Sequence, residues 1–313
     1  MIRFAEKIKD FFTKQPLPNT GFQLTSHYIT GIHISKKDKR IVNKFIYPLE
    51  KGVVLPSFDK KNIKNPDFLE KIIKNGMKNF RLFDHSVACF IPEVSLKTFV
   101  FSFDSLPASK NERMQVIRFR IKKKMPMLPE DVELSYDTLK GKNSETIVAT
   151  MVRNKLIQEY EEFFDRFNLK LKTIGVPSFC LYNLISEEED KNTILINIEE
   201  NMLSMIGIID SRIVLYRLKP YLIESLSELS VRERIQSILK EIENTVNFIE
   251  DKEKKKVDLL RIRWGLFQYD KAVISSVEEK LAFPVKKIGE SINCHIDFKE
   301  KEIFSPLIGQ LLV

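Results

Sequence analysis

The residue types that most often carry out chemistry are few and scattered in this sequence of 313 residues. Its three cysteines (Cys89, Cys180 and Cys294) are widely spaced, and no two of them form a CxxC pair. That pattern favours neither a disulfide framework nor a zinc site. The four histidines are equally dispersed, and none belongs to a recognisable metal-binding or hydrolase motif. His27, for example, is expected to lie at the surface of a turn rather than to act as a base.

The glycines exclude the common phosphate-binding loops. The chain has only 10 glycines, and the closest pair, Gly21 and Gly31, is ten positions apart. Both the GxGxxG loop and the P-loop need closely spaced glycines, because a phosphate requires a near approach of the backbone that a Cβ usually obstructs. Neither loop is therefore present.

The positive charge is not spread evenly, and seven of the 51 Lys and Arg residues fall in one short stretch. The net charge is 51 − 43 = +8, which favours an acidic partner. Interleaved Met114, Ile117 and Ile121 recur at helical spacing after a capping box at Ser109, so the stretch is predicted to be an amphipathic helix. Its basic face is either merely solvated or binds a partner, and no module typical of nucleic-acid binding accompanies it. The basic residues are Lys110, Arg113, Arg118, Arg120, Lys122, Lys123 and Lys124.

The segment that follows this helix contains two prolines, Pro126 and Pro129. Proline cannot complete a central ladder, so this segment is expected to be extended and to lie at a sheet edge. A partner strand or peptide could add there. We therefore predict a partner-binding surface that comprises Arg118, Arg120, Lys122, Pro126, Leu128 and Pro129.

Two similar hairpins are predicted to organise the chain. Residues Phe22–Ile34 read "FQLTSHYITGIHI", and residues Ile196–Ile208 read "INIEENMLSMIGI". Each is followed by the letters "RIV", at Arg40–Val42 and at Arg212–Val214. Strands followed by helices, repeated twice, indicate a duplicated α/β fold.

The predicted domains follow from this duplication. Residues 1–16 are expected to form a basic amphipathic helix that docks on the protein, on a partner or weakly on lipid. Residues 17–190 form a first lobe with an inserted α+β subdomain at about 85–150, and residues 191–313 form a reduced second lobe that ends in a helix at Ser305–Val313. Each lobe is expected to be a mixed sheet flanked by helices. Because no apolar run approaches the ~18–20 residues that cross a bilayer, a cytosolic chain is expected.

The order of several weak motifs resembles that of the PilM family, actin-like proteins of type IV pilus assembly. The resemblance covers Gly21 to Val313 and implies two actin-like (RNase H-like) lobes. The matching segments are "VACFIP", "KMPMLPEDVELSYD", "YEEFFDRFNLKLKTIGVPSFCLYNLI", "LKEIENTVNFIEDKEKKKVDLLRIRWG" and "PLIGQLLV".

The nucleotide cleft that the resemblance implies departs from the family pattern. An aspartate in the first hairpin would help to hold magnesium, but Gln23 is neutral. A glycine in the second hairpin would let backbone amides reach phosphate, whereas Glu199 adds a carboxylate, which costs about 4 kcal/mol for two charges ~4 Å apart. Trp264 brings an indole to a position where the family has no side chain. We therefore expect a vestigial cleft, without cofactor or metal, at Gln23, Thr25, Ser26, Asn197, Glu199, Trp264 and Gly265.

The resemblance implies a non-enzymatic cytoplasmic scaffold, peripheral to the inner membrane, in a type IV pilus-like assembly platform. The implied partners are the cytoplasmic tail of a PilN-type membrane protein, docked in a groove beside the inserted subdomain, and the platform and pilus motor. A peripheral membrane contact is also expected, but no nucleic acid. Two alternatives stay open: an active actin-like ATPase of the same machinery, and a cytoplasmic GspL-type component of a type II secretion system, which should continue into a transmembrane helix.

Overall fold

Most of the chain is described by the structure, a computed structural model. The described residues are 17–38, 40–80, 82, 85–140, 145–185, 191–220, 231–265, 271–281, 283–292, 294 and 296–312. The helix predicted at residues 1–16 lies outside them. No helix among the described residues is both long and apolar enough to cross a membrane.

The first sheet is mixed and has five strands. They are β1 (Thr20–Leu24), β2 (Tyr28–Ser35), β3 (Arg40–Pro48), β4 (Ser86–Phe90) and β8 (Lys170–Gly175), in the order β3-β2-β1-β4-β8. β1, β2 and β3 pair antiparallel, whereas β4 pairs parallel with β1 and with β8. The sequence had placed β4 at the start of the insertion at about 85, but its ladder with β1 makes it part of this sheet.

The second sheet repeats the first. Its strands are β9 (Thr193–Glu199), β10 (Met202–Ile209), β11 (Arg212–Pro220), β12 (Leu259–Trp264) and β13 (Val285–Lys287), in the order β11-β10-β9-β12-β13. The outer hairpin of each sheet shifts register at one point, between His33 and Ile34 in the first and between Gly207 and Ile208 in the second. This shared topology confirms the duplicated α/β fold predicted from the two hairpins.

A smaller three-stranded sheet lies between β4 and β8 in the chain. Its strands are β5 (Lys97–Phe103), β6 (Val132–Lys140) and β7 (Glu145–Arg153), in the order β5-β7-β6. Helix α2 (Lys110–Lys124) covers one face and buries Ile117 and Ile121 against it, as the helical spacing predicted. The N-cap residue Ser109 makes no side-chain cap bond, so the predicted capping box is not formed. β6 follows the two prolines and lies at an edge of this sheet.

The remaining helices enclose the two large sheets. They are α1 (Pro66–Gly76), α3 (Asn154–Asp165), α4 (Pro177–Tyr182), α5 (Val231–Glu253), α6 (Lys271–Lys280) and α7 (Phe298–Leu311). α1 and α3 cover the outer face of the first sheet, and α5 and α6 cover the outer face of the second. α4 and α7 lie between the sheets, where Leu181 and Leu307 join Ile32 of one sheet to Leu195 of the other.

Helix α7 is longer than the sequence predicted. Its first residue is Phe298 rather than Ser305, and Asp297 caps it by accepting a hydrogen bond from the Glu300 amide at 3.0 Å. Pro306 lies inside the helix, although proline normally interrupts one. The helix carbonyl that this proline leaves without a partner accepts a hydrogen bond in the cleft between the lobes.

Candidate functional site

An arginine at the end of β12 is the largest fully buried side chain among the described residues. Arg263 is 0% exposed, and it pairs across the ladder with Asn197 of β9. Glu199, two residues further along β9, is 5% exposed and forms an ion pair with the Arg263 guanidinium. A buried charge is costly unless it is paired and hydrogen-bonded, so this site depends on its partners.

All five N–H donors of Arg263 have an acceptor in the protein. Nη1 donates to Asn197 Oδ1 at 2.9 Å and to Glu199 Oε1. Nη2 donates to the Tyr28 hydroxyl at 3.2 Å and to the Ile303 carbonyl at 3.0 Å, and Nε donates to the Glu302 carbonyl at 3.0 Å. Burial opposes the charge on Arg263, but Glu199 and Tyr28 outweigh it and raise the pKa of the guanidinium. No donor of this arginine is left for a phosphate.

Pro306 explains how a helix carbonyl becomes available to Arg263. Proline has no N–H, so the carbonyl of Glu302, four residues earlier, receives no helical hydrogen bond from it. That carbonyl instead accepts from Arg263 Nε at 3.0 Å and from the Ser305 hydroxyl at 2.7 Å. The proline inside α7 thus creates an acceptor for the buried arginine.

Two side chains of the first sheet reach the same ion pair. The Tyr28 hydroxyl lies 2.8 and 3.0 Å from the two Glu199 oxygens and donates to this carboxylate. Gln23 Nε2 lies 3.4 Å from Glu199 Oε1. Burial, together with the Glu199 carboxylate, raises the pKa of Tyr28, so its hydroxyl keeps its proton. A buried network of hydrogen bonds therefore joins the two lobes, and its two charged groups, Arg263 and Glu199, pair with each other.

Gly265 allows this network to form. An added Cβ at Gly265 would overlap Arg263 Nη1 and the Glu199 carboxylate. The sequence had connected this glycine with a nucleotide, but here its missing side chain makes room for the ion pair.

Trp264 does not lie where the sequence placed it. Successive residues of a strand point to opposite faces, and Arg263 takes the face towards the cleft. Trp264 packs on the other face, in the cluster with Ile198 and Ile262 beneath α5. Its indole therefore fills the core of the second lobe and does not obstruct the cleft.

The turn between β1 and β2 is closed by its own hydroxyl groups. Thr25 Oγ1 accepts from the amides of His27 at 3.1 Å and Tyr28 at 2.9 Å. Ser26 is buried, with its hydroxyl 2.8 Å from His27 Nδ1, and Glu200 lies 3.2 Å from the other ring nitrogen. Burial lowers the pKa of His27 to about 4, so the ring is neutral at pH 7. These amides are satisfied internally and do not form an anion cradle.

A second buried carboxyl also links the lobes. Glu93 lies in the 3-10 turn Glu93–Ser95 and is 2% exposed. It accepts hydrogen bonds from the Tyr216 hydroxyl at 2.6 Å and the Ser178 hydroxyl at 2.9 Å. Burial raises the pKa of Glu93, and these two bonds oppose the rise.

Within the described residues, no group of three or more His, Cys, Asp or Glu side chains could hold a metal ion.

A largely apolar groove lies between the inserted sheet and the rest of the molecule, and its empty space of about 840 Å³ includes the solvent at its open side. One wall is the face of β6 and β7 that is turned away from α2, and the other is formed by β8 and α4. Ile213 and Gln310 reach its lining from β11 and α7. The wall residues are Glu133, Ser135, Asp137, Leu139, Val148, Thr150, Val152, Ile174, Phe179 and Asn183.

The predicted partner-binding residues lie away from this groove. Helix α2 covers the opposite face of the inserted sheet, and Arg118, Arg120 and Lys122 are exposed on it, with the Arg120 guanidinium 5.2 Å from the centre of the Phe103 ring. Pro126 is also exposed, whereas Leu128 is half-buried against the α2 side of the sheet. Pro129 is half-buried and belongs to the connection into β6. The structure therefore separates the basic helix from the groove that the sequence had associated with it.

Comparison with solved structures identifies the architecture. A chain of the PilM–PilN type IV pilus biogenesis complex is similar with a TM-score of 0.74 and 12% identity, over 95% of this chain and 98% of that chain. A Bacteroides thetaiotaomicron protein with an actin-like ATPase fold gives a TM-score of 0.53 at 10% identity, over 98% of both chains. This chain has the actin-like fold. The predicted likeness to PilM-like actin-like proteins is thereby confirmed at the level of the fold.

The actin-like lobes are shared with proteins of varied names. The ethanolamine utilization protein EutJ from Carboxydothermus hydrogenoformans is similar with a TM-score of 0.50 at 10% identity, over 97% of this chain and 93% of that chain. The sequence itself matches no protein-family model and no curated protein. The actin-like fold is therefore recognised through its structure.

The most important cleft residues were not selected from the sequence. Arg263, Tyr28 and Glu302 complete the network around Glu199, yet none was among the predicted cleft positions. One signal was present: the strand "LLRIRW" carries two arginines in an otherwise apolar strand. An arginine in such a strand needs a buried acceptor, and Glu199 is that acceptor.

Proposed function

We propose that this chain is a PilM-like scaffold of a type IV pilus-like assembly platform at the inner membrane. In this role it docks the cytoplasmic tail of a PilN-type membrane protein in the groove between the inserted sheet and β8. The observation that carries the proposal is the groove itself, in a molecule whose fold is similar to that in a PilM–PilN complex.

The chemistry of the groove suits an extended peptide with apolar side chains. Val148, Val152 and Phe179 offer apolar contacts, and Asn183 can fix a peptide group by hydrogen bonding. β6 lies at the edge of its sheet, so its backbone groups can pair with an added strand. The carboxylates of Glu133 and Asp137 along the same strand favour a tail that carries a basic residue.

The cleft supports a role that does not depend on nucleotide. A phosphate entering beside Gly265 would have to displace Glu199 from Arg263, and the displaced carboxylate would lose its buried cation. Removing one partner of a buried ion pair costs about 3–5 kcal/mol. We therefore infer that the cleft is a structural joint between the lobes and that the protein acts through its surfaces.

The test is a titration of the chain with a synthetic peptide of the PilN-type tail from the same genome. Ser135→Trp fills the groove from β6 and should weaken peptide binding at least tenfold, about 1.4 kcal/mol. Lys122→Trp, on the opposite side of the inserted sheet, is the matched control and should bind as the wild type does. If Lys122→Trp loses the peptide and Ser135→Trp keeps it, the basic helix is the docking site and the groove is not.

A further inference from the structure

Helix α2 presents a ridge of mixed apolar and basic side chains to solvent. We define this basic ridge as Arg118, Phe119, Arg120, Lys122, Lys123 and Met127. Phe119 is 58% exposed and Met127 is 90% exposed, the two highest values among the large hydrophobic side chains that the structure describes. At 100° per residue, Phe119 lies almost opposite the buried Ile117 and Ile121, at the outermost line of the helix.

The cations of the ridge surround this apolar line. Lys122 and Lys123 flank Phe119 one turn later, and Arg118 and Arg120 lie on its two sides. Lys123 Nζ stands 4.6 Å from the centre of the Phe119 ring. No ion pair joins these four cations to a carboxylate within the described part of the chain. The charge is therefore available to an external anion.

The packing of α2 on its sheet does not account for the exposed ring of Phe119. Ile117 and Ile121 already provide the apolar contacts that hold α2 on its sheet. A phenylalanine in water at the outermost line of a basic helix contributes little to that packing. An outward apolar side chain flanked by Lys and Arg offers both apolar contact and positive charge to an anionic lipid surface, whose negative potential attracts basic segments.

We propose that the basic ridge binds the surface of an anionic lipid bilayer. Phe119 and Met127 insert at the level of the headgroups, and Arg118, Arg120, Lys122 and Lys123 contact lipid phosphates. Because the ridge is the outer side of a helix, a flat and deformable surface can contact its apolar line and its flanking cations at the same time. This proposal does not rest on the identity of the groove's partner.

The ridge and the groove can be occupied together. They lie on opposite faces of the three-stranded sheet, with α2 on one side and the wall of β6 and β7 on the other. A chain held on a bilayer through α2 would thus keep the groove open to a peptide.

The experiment measures binding of the full chain to two kinds of vesicles, one of neutral phosphatidylcholine and one with about 30% phosphatidylglycerol. Wild type should bind the anionic vesicles at least tenfold more tightly than the neutral ones. Arg118→Gln/Arg120→Gln/Lys122→Gln should lose at least tenfold on anionic vesicles, and Phe119→Ser should lose several-fold. The predicted helix at residues 1–16 is present in every variant, so the differences report the ridge alone.

The matched control removes the same charge elsewhere on the surface. Lys51→Gln/Lys71→Gln/Lys78→Gln changes three exposed lysines of the first lobe and should bind within twofold of wild type. Equal losses for the two triple variants would reduce the effect to net charge and overturn the proposal. It would also be overturned if Phe119→Ser bound as wild type, or if a short DNA duplex or polyglutamate bound the ridge more tightly than the vesicles.

Discussion

The cleft between the lobes and the groove beside the inserted sheet differ in whether their polar groups are satisfied within the protein or exposed to solvent. In the cleft, Arg263 and Glu199 are buried and each is satisfied by other protein groups. In the groove, Glu133 is exposed at the rim and Val148 and Phe179 offer half-buried apolar surface. The ion pair of the first region is satisfied by protein groups, whereas the second region offers apolar surface and a carboxylate to solvent.

If the cleft is a joint, removing its arginine should cause the largest loss of stability. Arg263→Ala leaves the Glu199 carboxylate without its buried cation, and we expect a loss of about 3–5 kcal/mol in the free energy of unfolding, measured with urea. Arg166→Ala is the matched control, because that guanidinium is 40% exposed and pairs with Asp67 at 2.8 Å on the surface. The control should lose no more than about 1 kcal/mol. Equal losses for the two variants would contradict the role of the cleft as a joint.

A second prediction concerns pH. Burial raises the pKa of Glu302 from 4.5 to about 7, although the Gly289 and Trp264 amides and Arg263 lower it. The folded state therefore binds this proton more tightly than the unfolded state, so the stabilisation is present below pH 4.5 and is lost as pH rises to about 7. Relative to Glu302→Gln, wild type should lose up to about 3 kcal/mol across that window.

The control for the pH prediction is the exposed Glu243→Gln on α5. It should leave the pH dependence of the unfolding free energy unchanged. If wild type and Glu302→Gln showed parallel curves between pH 4.5 and 7, the Glu302 carboxyl would not be held in an environment that opposes its charge.

Gly265 gives a more local test of the joint. The added Cβ of Gly265→Ala would overlap the ion pair, and overpacking of this kind costs about 1–3 kcal/mol. The loss should be smaller in the Arg263→Ala background, because one of the two groups that obstruct the Cβ is gone and the Glu199 carboxylate can move into its space. Urea unfolding of the two single variants and the double variant measures this coupling. Strict additivity would sink the explanation of why a glycine occupies this position.

The smallest expected effect concerns the binding of nucleotide. Calorimetry with millimolar Mg-ATP should detect no tight binding, because the donors of Arg263 and the amides of the first turn are already satisfied. A dissociation constant below about 100 μM, equivalent to about −5.5 kcal/mol, would favour the active ATPase alternative. The PilN-type peptide should bind equally well with and without Mg-ATP.

Much of the fold could be predicted from periodicity and repetition. The two hairpins revealed the duplicated sheets, and the spacing of Ile117 and Ile121 revealed α2. The start of α7 could not be predicted, because Pro306 normally ends a helix and its tolerance depends on Arg263, 43 positions earlier in the sequence. The sequence also did not show which face of β12 is turned towards the cleft. Trp264 was expected in the cleft, whereas the neighbouring Arg263 occupies it.

The cleft itself illustrates why a list of positions is not yet a site. Tyr28 and Glu199 are 171 residues apart in the chain, and Tyr28 and Arg263 are 235 apart. Their contact depends on two lobes packing with α4 and α7 between them, and single-sequence patterns carry no information on that packing. For the same reason, the spacing of apolar residues in α2 could not show which face of the inserted sheet the helix covers.

Helix α7 ties the beginning of the chain to its far end. Leu307 and Leu311 pack over Gly21 of β1, and Asn183 donates to the Gly309 carbonyl at 3.1 Å. During synthesis the strands of the first lobe emerge from the ribosome long before Phe298–Leu311, so only α4 can cover their inner face until translation has passed that helix. Domains usually fold as units while they are being made. Here the first lobe completes its core only when the last of the described helices has been made, so its folding depends on a segment that follows the strands of the second lobe.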